Sequence, residues 1–284
     1  MESTAQIEFR QVRDFSEILN ATFNFFRQNF RNLLKQILLI MGPLIIFISI
    51  YTVYFFSTPT PQDLTSFDFS RFFISFIPLY LIVGLTFLIY STALYAYIIL
   101  YMDKGFDQFE TTDILKTAAK NLPKTLGFSI ISSIFILVAT TIFILPGIYI
   151  AVPLTFGLII IFREGTGIFE TISRCFQIIS DHWWQTFGIL FITFFIIYLF
   201  SFALSLPQAA VEYVIAFNSP EKADLSNWKV LSLILSIITS LFAYVFYSLG
   251  YIAISFQYFS LVEQKEVHGL LKRIESIEKS ENEQ

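Results

Sequence analysis

Long apolar stretches separated by short polar segments dominate the chain. The longest stretch without Asp, Glu, Lys, Arg or His runs from Leu126 to Phe162. A membrane-spanning helix needs about 20 apolar residues, so this stretch is nearly long enough for two spans. Pro146-Gly147 lies past its middle, and a proline inside a helix removes a backbone hydrogen bond. The pattern therefore predicts a hairpin of two spans, 126–145 and 148–162, of which the second is short and is interrupted by Pro153.

Four further apolar stretches each predict one span. They are 36–56, 72–102, 184–206 and 230–261. Pro43 predicts a bend near the start of the first, and Pro207 is predicted to close the third. With the hairpin, these stretches predict an all-α, polytopic integral membrane protein with about six transmembrane helices. We expect a single helical membrane domain over 1–262 and a charged tail over 263–284.

Three polar-to-apolar junctions carry apolar residues at three- and four-residue intervals, which predicts amphipathic helices. We call these elbow helices; they cover 15–32, the segment from Thr112 to the residue before Pro123, and 163–182. A helix with one apolar face suits the membrane interface, and packing of that face on the spans is the alternative. Residues 1–14 are polar and are predicted to be loosely held. The tail is predicted to dock on the cytoplasmic face, or else to pair with another copy.

The three junctions also resemble one another. An acidic residue precedes the start of each apolar run by the same interval: Glu17 before Phe30, Asp113 before Leu126, and Glu170 before Trp183. Internal repeats are common in membrane folds. The chain is therefore predicted to hold three repeat units, 15–102, 110–162 and 167–262, each with one elbow helix and two spans.

Composition agrees with a membrane protein. Hydrophobic residues make up 55% of the 284 residues and charged residues 14%, whereas soluble domains carry about 25% charged residues. No basic domain or arginine-rich stripe is present, which argues against nucleic acid as a partner. We expect the lipid bilayer to be the partner, with a membrane-protein partner or a homo-oligomer left open.

The distribution of positive charge predicts the orientation in the membrane. Fifteen of the eighteen Lys and Arg residues fall on one side of the predicted spans. Arg71, Lys222 and Lys229 fall on the other side. Because Lys and Arg are enriched in cytoplasmic loops, both termini and the three elbow helices are predicted to be cytoplasmic. The first span is expected to remain as an anchor, and the location predicted is the bacterial cytoplasmic (inner) membrane.

Candidate chemistry is sparse. The spans hold no clear buried ionisable residue, which argues against a proton- or sodium-coupled pump. A single cysteine, Cys175, leaves no cysteine-based metal cluster. The chain lacks the H-E-x-x-H and G-x-S-x-G motifs of zinc proteases and serine hydrolases. We therefore expect no catalytic, cofactor-binding or metal-binding residues, no cofactor, and no enzyme activity.

A few polar side chains carry an alternative interpretation. His182 beside Asp181 resembles an acid–base pair, but its place before Trp183-Trp184 favours an interfacial anchor. Gln257 is interpreted as a residue whose side chain makes a hydrogen bond between helices. Cys175 is interpreted as a passive thiol rather than a reactive or lipidated one. Solvated positions are favoured for Asp63 and Asp68, which together resemble a carboxylate pair, and for His268.

Three segments resemble a diffuse bacterial family. They are LPGIY (Leu145–Tyr149), ETISRCFQIISDHWW (Glu170–Trp184) and FSEILNATFNFFRQNFRNLL (15–34). The family includes small polytopic proteins of unknown function and the membrane domain attached to some glycerophosphodiester phosphodiesterases, often with Ser-Trp in place of Cys175-Phe176. The resemblance implies a six-span helical fold. We expect no attached hydrolase domain here, so the resemblance carries over no catalytic residue.

The function favoured by these observations is that of a non-enzymatic membrane scaffold or accessory protein in envelope or lipid homeostasis. A transporter or channel for an uncharged or lipophilic solute is the alternative. The repeats, the hydroxyl-bearing spans and the helix-breaking Pro43, Pro78, Pro146 and Pro153 fit it. A lipid-modifying enzyme would need polar residues that converge at one interface, and the sequence shows no such set.

Overall fold

The computed structural model describes residues 7–56, 69–217 and 226–282, and its regular elements are helices. Eight helices follow in chain order: α1 Phe15–Phe56, α2 Phe69–Lys104, α3 Thr111–Ile142, α4 Ile144–Leu154, α5 Gly157–Glu164, α6 Ile168–Ile179, α7 Trp183–Phe217 and α8 Ser226–Asn282. Six helical stretches in this part are long and apolar enough to cross a membrane: Phe15–Thr52, Phe76–Lys104, Thr111–Ile142, Ile144–Glu164, Trp183–Ile215 and Asn227–Lys265. The protein is an all-α, multi-pass membrane protein, as predicted.

Two of the predicted elbow helices continue without a break into the spans that follow them. α1 holds 42 residues, which at 1.5 Å per residue is about 63 Å, roughly twice the hydrocarbon thickness of a bilayer. Pro43 lies inside it and does not end it. The third elbow helix, α6, is separate from the spans on either side.

The helix ends predicted from Pro123 and Pro207 are wrong. α3 runs through Pro123 and α7 runs through Pro207. A proline inside a helix removes the hydrogen bond to the carbonyl four residues earlier, and for Pro123 that carbonyl belongs to the exposed Ala119. Burial of Thr125 and Phe128 just beyond the proline holds α3 in place, so packing outweighs the local signal.

The predicted hairpin is present, but its reversal lies at Phe143. This residue is extended, with φ −156° and ψ 147°, between the end of α3 and the start of α4. Pro146 falls in the first turn of α4, where its missing N–H removes no helical hydrogen bond. The two arms come so close that a Cβ at Gly147 would lie 2.1 Å from Thr140 Oγ1. The second arm breaks between α4 and α5, just after Pro153.

The described residues form two compact units. The first takes its residues from Met1–Gln28, Thr92–Phe194 and Leu249–Gln284, and the second from Asn29–Ser91 and Phe195–Ser248. Fully buried apolar side chains of the first unit include Ile98, Phe156, Ile159, Ile178 and Ile252. In the second unit, the Tyr90 hydroxyl donates to the Tyr244 carbonyl over 2.6 Å.

The three junctions of the predicted repeat share one way of starting a helix. In each, the acidic residue at the third helical position accepts a hydrogen bond from the backbone N–H of the residue that caps the helix: Glu17 from Asp14 at 2.9 Å, Asp113 from Glu110 at 3.4 Å, and Glu170 from Gly167 at 3.3 Å. Such a carboxylate satisfies an otherwise unpaired donor. The residue after each acid is buried: Ile18, Ile114 and Thr171. The repeated acid is therefore a helix cap, while the repeat units themselves stay a prediction.

Candidate functional site

Residues 7–14, which we call the N-terminal strap, pack against other residues of the first unit. Phe9 is only 2% exposed. Its ring stacks on Phe256, with centroids 4.2 Å apart, and meets Phe25 edge-on at 5.2 Å. The Ile7 N–H donates to the Tyr101 hydroxyl over 3.0 Å. The prediction that the start of the chain is loosely held is wrong for this segment, because a buried aromatic side chain anchors it.

Arg13 fastens the other end of the strap. Its backbone N–H donates to Ser260 Oγ at 2.9 Å, and that hydroxyl lies 3.1 Å from the Arg13 carbonyl and donates to it. The guanidinium donates to the Phe9 carbonyl at 3.0 Å and to the Glu8 carbonyl, and it lies 5.0 Å from the centre of the Phe256 ring. Partial burial lowers the pKa of Arg13, but an arginine remains charged at physiological pH.

The connection between α5 and α6 turns sharply at Gly165, whose φ of +70° is a left-handed conformation that glycine adopts without strain. Lys124 Nζ donates to the Gly165 carbonyl at 2.6 Å and to the Thr166 carbonyl at 3.4 Å. The hydroxyls of Thr166 and Thr171 lie 2.7 Å apart. These contacts fix α6 relative to the end of α5.

Two ion pairs hold arginines at this connection. Arg174 Nε donates to both carboxylate oxygens of Glu164, at 3.2 and 3.0 Å. The Tyr258 hydroxyl donates to the same carboxylate over 2.8 Å. Arg163 Nη1 donates to Asp103 Oδ1 at 3.1 Å. Both arginines are thereby oriented, and each keeps N–H groups that make no hydrogen bond within the described part of the chain.

These side chains surround a cavity of about 200 Å³, which we call the arginine cavity. It is lined by Arg10, Arg163, Glu164, Arg174, Tyr258, Phe259, Val262 and Glu263. A larger cavity of about 530 Å³ shares Arg10 and Arg163 with it and also includes Glu8 and Asp103. Since one water takes up about 30 Å³ of liquid, the arginine cavity has room for a small polar group.

The side chains that line the arginine cavity are suited to binding a polar ligand. A guanidinium keeps its charge and offers only hydrogen-bond donors. Glu164 already accepts hydrogen bonds from Arg174 and Tyr258. Arg10 and Glu263 also line the cavity, and neither has an ion-pair or hydrogen-bond partner among the side chains that the structure describes. Within that same part of the chain, no group of His, Cys, Asp and Glu is arranged to hold a metal ion.

The sequence pattern does not bring these residues together. Arg10 lies far along the chain from Arg163 and Arg174. In the sequence, each of these residues indicates only a positive charge that helps to orient the protein in the membrane. One local signal was present: Arg163 and Glu164 directly follow the longest apolar stretch and precede Gly165. The fold thus gathers at one place a set of polar side chains that the sequence alone does not show.

The side chains singled out in the sequence have structural contacts. Gln257 Nε2 donates to Thr186 Oγ1 at 2.9 Å, which confirms the predicted hydrogen bond between helices. His182 Nδ1 lies 3.2 Å from the Ser180 carbonyl, within a turn. The Trp183 indole that follows donates to the Tyr149 carbonyl over 3.1 Å. The side chains of Asp63, Asp68 and His268 lie outside the described residues.

Cys175 lies on the buried face of α6. Burial raises the pKa of its thiol to about 12. Because the thiolate is the reactive form of cysteine, this thiol is inert near neutral pH. The finding agrees with the interpretation of Cys175 as a passive side chain.

Comparisons with protein-family models, with curated proteins and with solved structures found no match. The resemblance to membrane domains attached to phosphodiesterases therefore stays a prediction.

Proposed function

We propose that the protein is a non-enzymatic scaffold or accessory protein of the bacterial cytoplasmic membrane, acting in envelope or lipid homeostasis. The observation that carries the proposal is that α6 is buried on one face and exposes an aromatic side chain on another. One face of this helix is buried through Thr171, Cys175 and Ile178. Phe169, on the same helix, is 74% exposed, and Trp184, just beyond it, is 77% exposed. Exposed aromatic side chains on a fixed helix are typical of surfaces that bind a partner or sit among lipid headgroups.

Polar contacts hold α6 in position. Lys265 Nζ donates to the Gln177 carbonyl and, over 2.8 Å, to Ser180 Oγ. Arg174 on α6 is paired with Glu164 at the end of α5. A surface that is already ordered loses less conformational entropy on binding, which favours affinity. We therefore take the exposed side of α6 as the main contact surface.

The proposal includes the orientation of the protein in the membrane. Both termini and α6 would lie in the cytoplasm, because fifteen of the eighteen Lys and Arg residues fall on their side of the spans. The resemblance of LPGIY and of the segment Glu170–Trp184 to a bacterial membrane family supports the bacterial membrane. It also supports a role close to lipid metabolism.

Photo-crosslinking in native membranes tests the contact surface. A photoreactive amino acid is placed at Phe169 and, as the control, at Leu137, which is exposed on α3. We expect a discrete protein adduct from position 169, identified by mass spectrometry, and lipid adducts from position 137. Lipid adducts alone from both positions would contradict the scaffold, and so would turnover of a lipid by the purified protein in nanodiscs.

One observation favours the alternative, a transporter or channel for an uncharged solute. Four buried polar atoms of the first unit have no hydrogen-bond partner in the described part of the chain: Tyr95 OH, Ser132 Oγ, Thr193 Oγ1 and Gln257 Oε1. Buried polar groups are nearly always satisfied, by water if not by protein. Such atoms would suit the passage of a small polar molecule. Uptake of a neutral solute such as glycerol into proteoliposomes would favour this function over the scaffold.

A further inference from the structure

We infer that the arginine cavity binds a phosphoethanolamine group, with the phosphate held by Arg10, Arg163 and Arg174 and the primary ammonium held by Glu263. The source expected is the headgroup of a membrane phospholipid. The inference goes beyond the proposed function, since a scaffold, a transporter or an enzyme could each hold a headgroup at this place.

The three arginines that line the arginine cavity have hydrogen-bond donors left over. A guanidinium carries five N–H donors in a fixed plane. Arg174 uses Nε on Glu164, Arg163 uses Nη1 on Asp103, and Arg10 uses none within the described residues. The donors that remain come from three separate segments, the strap, α5 and α6, and line one cavity. Arginine forks match the oxygen geometry of a phosphate, which can accept hydrogen bonds from several of them at once.

The arginine cavity is lined by charged groups of both signs. The lining holds three guanidinium groups and two carboxylates. Glu164 is occupied by Arg174 and by the Tyr258 hydroxyl. What remains without a partner in the described structure is one cation, Arg10, and one carboxylate, Glu263. One free group of each sign fits a zwitterion better than a simple anion, because the anion would leave Glu263 uncompensated.

The arginine cavity is lined by residues near the ends of two candidate spans. Arg163 and Glu164 end the candidate span Ile144–Glu164, and Tyr258 and Glu263 lie among the last eight residues of the span Asn227–Lys265. The ends of spans lie where the hydrocarbon core meets the lipid headgroups. Phe259 and Val262 add apolar side chains to the lining, which suits the glycerol end of a lipid. Basic pockets between transmembrane helices are known to hold phospholipid headgroups.

The test uses the full-length protein in detergent, titrated with phospholipids of identical acyl chains and followed by native mass spectrometry. We expect phosphatidylethanolamine to bind more tightly than phosphatidylcholine, whose quaternary ammonium cannot donate to Glu263, and than phosphatidylglycerol, which has no ammonium. Arg10→Gln should weaken binding of phosphatidylethanolamine roughly tenfold, the effect expected for a lost charge-assisted hydrogen bond. Glu263→Gln should remove the preference over phosphatidylglycerol while leaving phosphatidylglycerol binding intact.

Arg27→Gln is the matched control, because Arg27 is exposed on α1 and does not line the arginine cavity. Both Arg10 and Glu263 lack partners in the described structure, so their variants should fold normally. An unchanged melting temperature checks this. Equal binding of the three lipids, tighter binding of phosphatidylglycerol, or wild-type binding by Arg10→Gln would each overturn the inference. If free phosphoethanolamine displaces the lipid at comparable concentration, the chemistry is supported and the source is a soluble ligand.

Discussion

At the scale of single residues, Cys175 shows how position decides chemistry. The same helix carries the buried Cys175 and the exposed Phe169. Burial raises the pKa of the Cys175 thiol to about 12, compared with about 8.5 for a free cysteine. The thiol therefore contributes packing between α6 and the bundle. Burial removes the reactivity that a lone cysteine suggests in the sequence.

We predict that Cys175 resists alkylation in the folded protein. In native membranes at pH 7.5, N-ethylmaleimide should modify it at least roughly a hundred times more slowly than in the protein unfolded in SDS, where the pKa returns to about 8.5. Because the folded pKa is raised, the neutral thiol favours the folded state below about pH 8.5. That stabilisation is lost as the pH rises toward 12. Labelling should therefore increase over this range.

The control for this experiment is Phe169→Cys in a Cys175→Ala background. It places a thiol on the exposed side of the same helix, and it should react rapidly at pH 7.5. Equal rates at positions 169 and 175 in native membranes would show that the α6 face carrying Cys175 is not buried.

At the scale of helices, the three polar-to-apolar junctions were easier to predict than the helix ends. The acids Glu17, Asp113 and Glu170 marked the three junctions in the sequence, and in the structure each caps a helix there. A helix cap involves residues within one turn of each other, so it can be predicted from a short segment of sequence. The ends predicted at Pro123 and Pro207 were wrong; α3 continues past Pro123 because Thr125 and Phe128 beyond it are buried.

Helix packing gives a prediction at Gly157, where α5 meets α3. A Cβ there would lie 1.8 Å from Cζ of Phe128, whose side chain is itself buried. Gly157→Ala should destabilise the protein by about 1–3 kcal/mol, as overpacking of a core does. The measurement is the melting temperature in detergent, which should fall. Combining the change with Phe128→Leu should restore part of the loss.

Gly84→Ala on α2 is the matched control. A Cβ at Gly84 meets nothing within 4 Å, and alanine favours helix over glycine by about 1 kcal/mol. This variant should be as stable as the natural protein or slightly more so. A Gly157→Ala variant as stable as Gly84→Ala would contradict the close contact between α3 and α5.

At the scale of the whole molecule, apolar length alone was enough to predict six candidate spans. Each span is a property of about 20 consecutive residues. The arginine cavity had no comparable signal, because it depends on Phe9 anchoring the strap so that Arg10 reaches residues far along the chain. Phe9 is a single phenylalanine in a polar segment, and the sequence does not show that its side chain is buried. Contacts of this kind arise from tertiary packing and are absent from any local pattern.

The last prediction concerns the path of the chain across the membrane. The hairpin's second arm, Ile144–Glu164, has 21 residues, or about 31 Å of helix, which matches a hydrocarbon core of about 30 Å. We therefore expect the arm to cross fully and its tip to reach the outer surface. Single cysteines at Leu145, Lys116 and Lys229, all exposed, are introduced in a Cys175→Ala background. An impermeant thiol reagent added to whole cells should label positions 145 and 229 and spare position 116.

Labelling at position 116 alone would show that the orientation is opposite to the one inferred from the Lys and Arg distribution. Labelling at 229 without 145 would keep that orientation and show that the tip stays within the membrane. The break between α4 and α5 makes this second outcome physically distinct, because an arm that bends after Pro153 loses length along the membrane normal. A membrane-permeant reagent that labels all three positions shows that each thiol is reactive. The pattern then reports the side of the membrane.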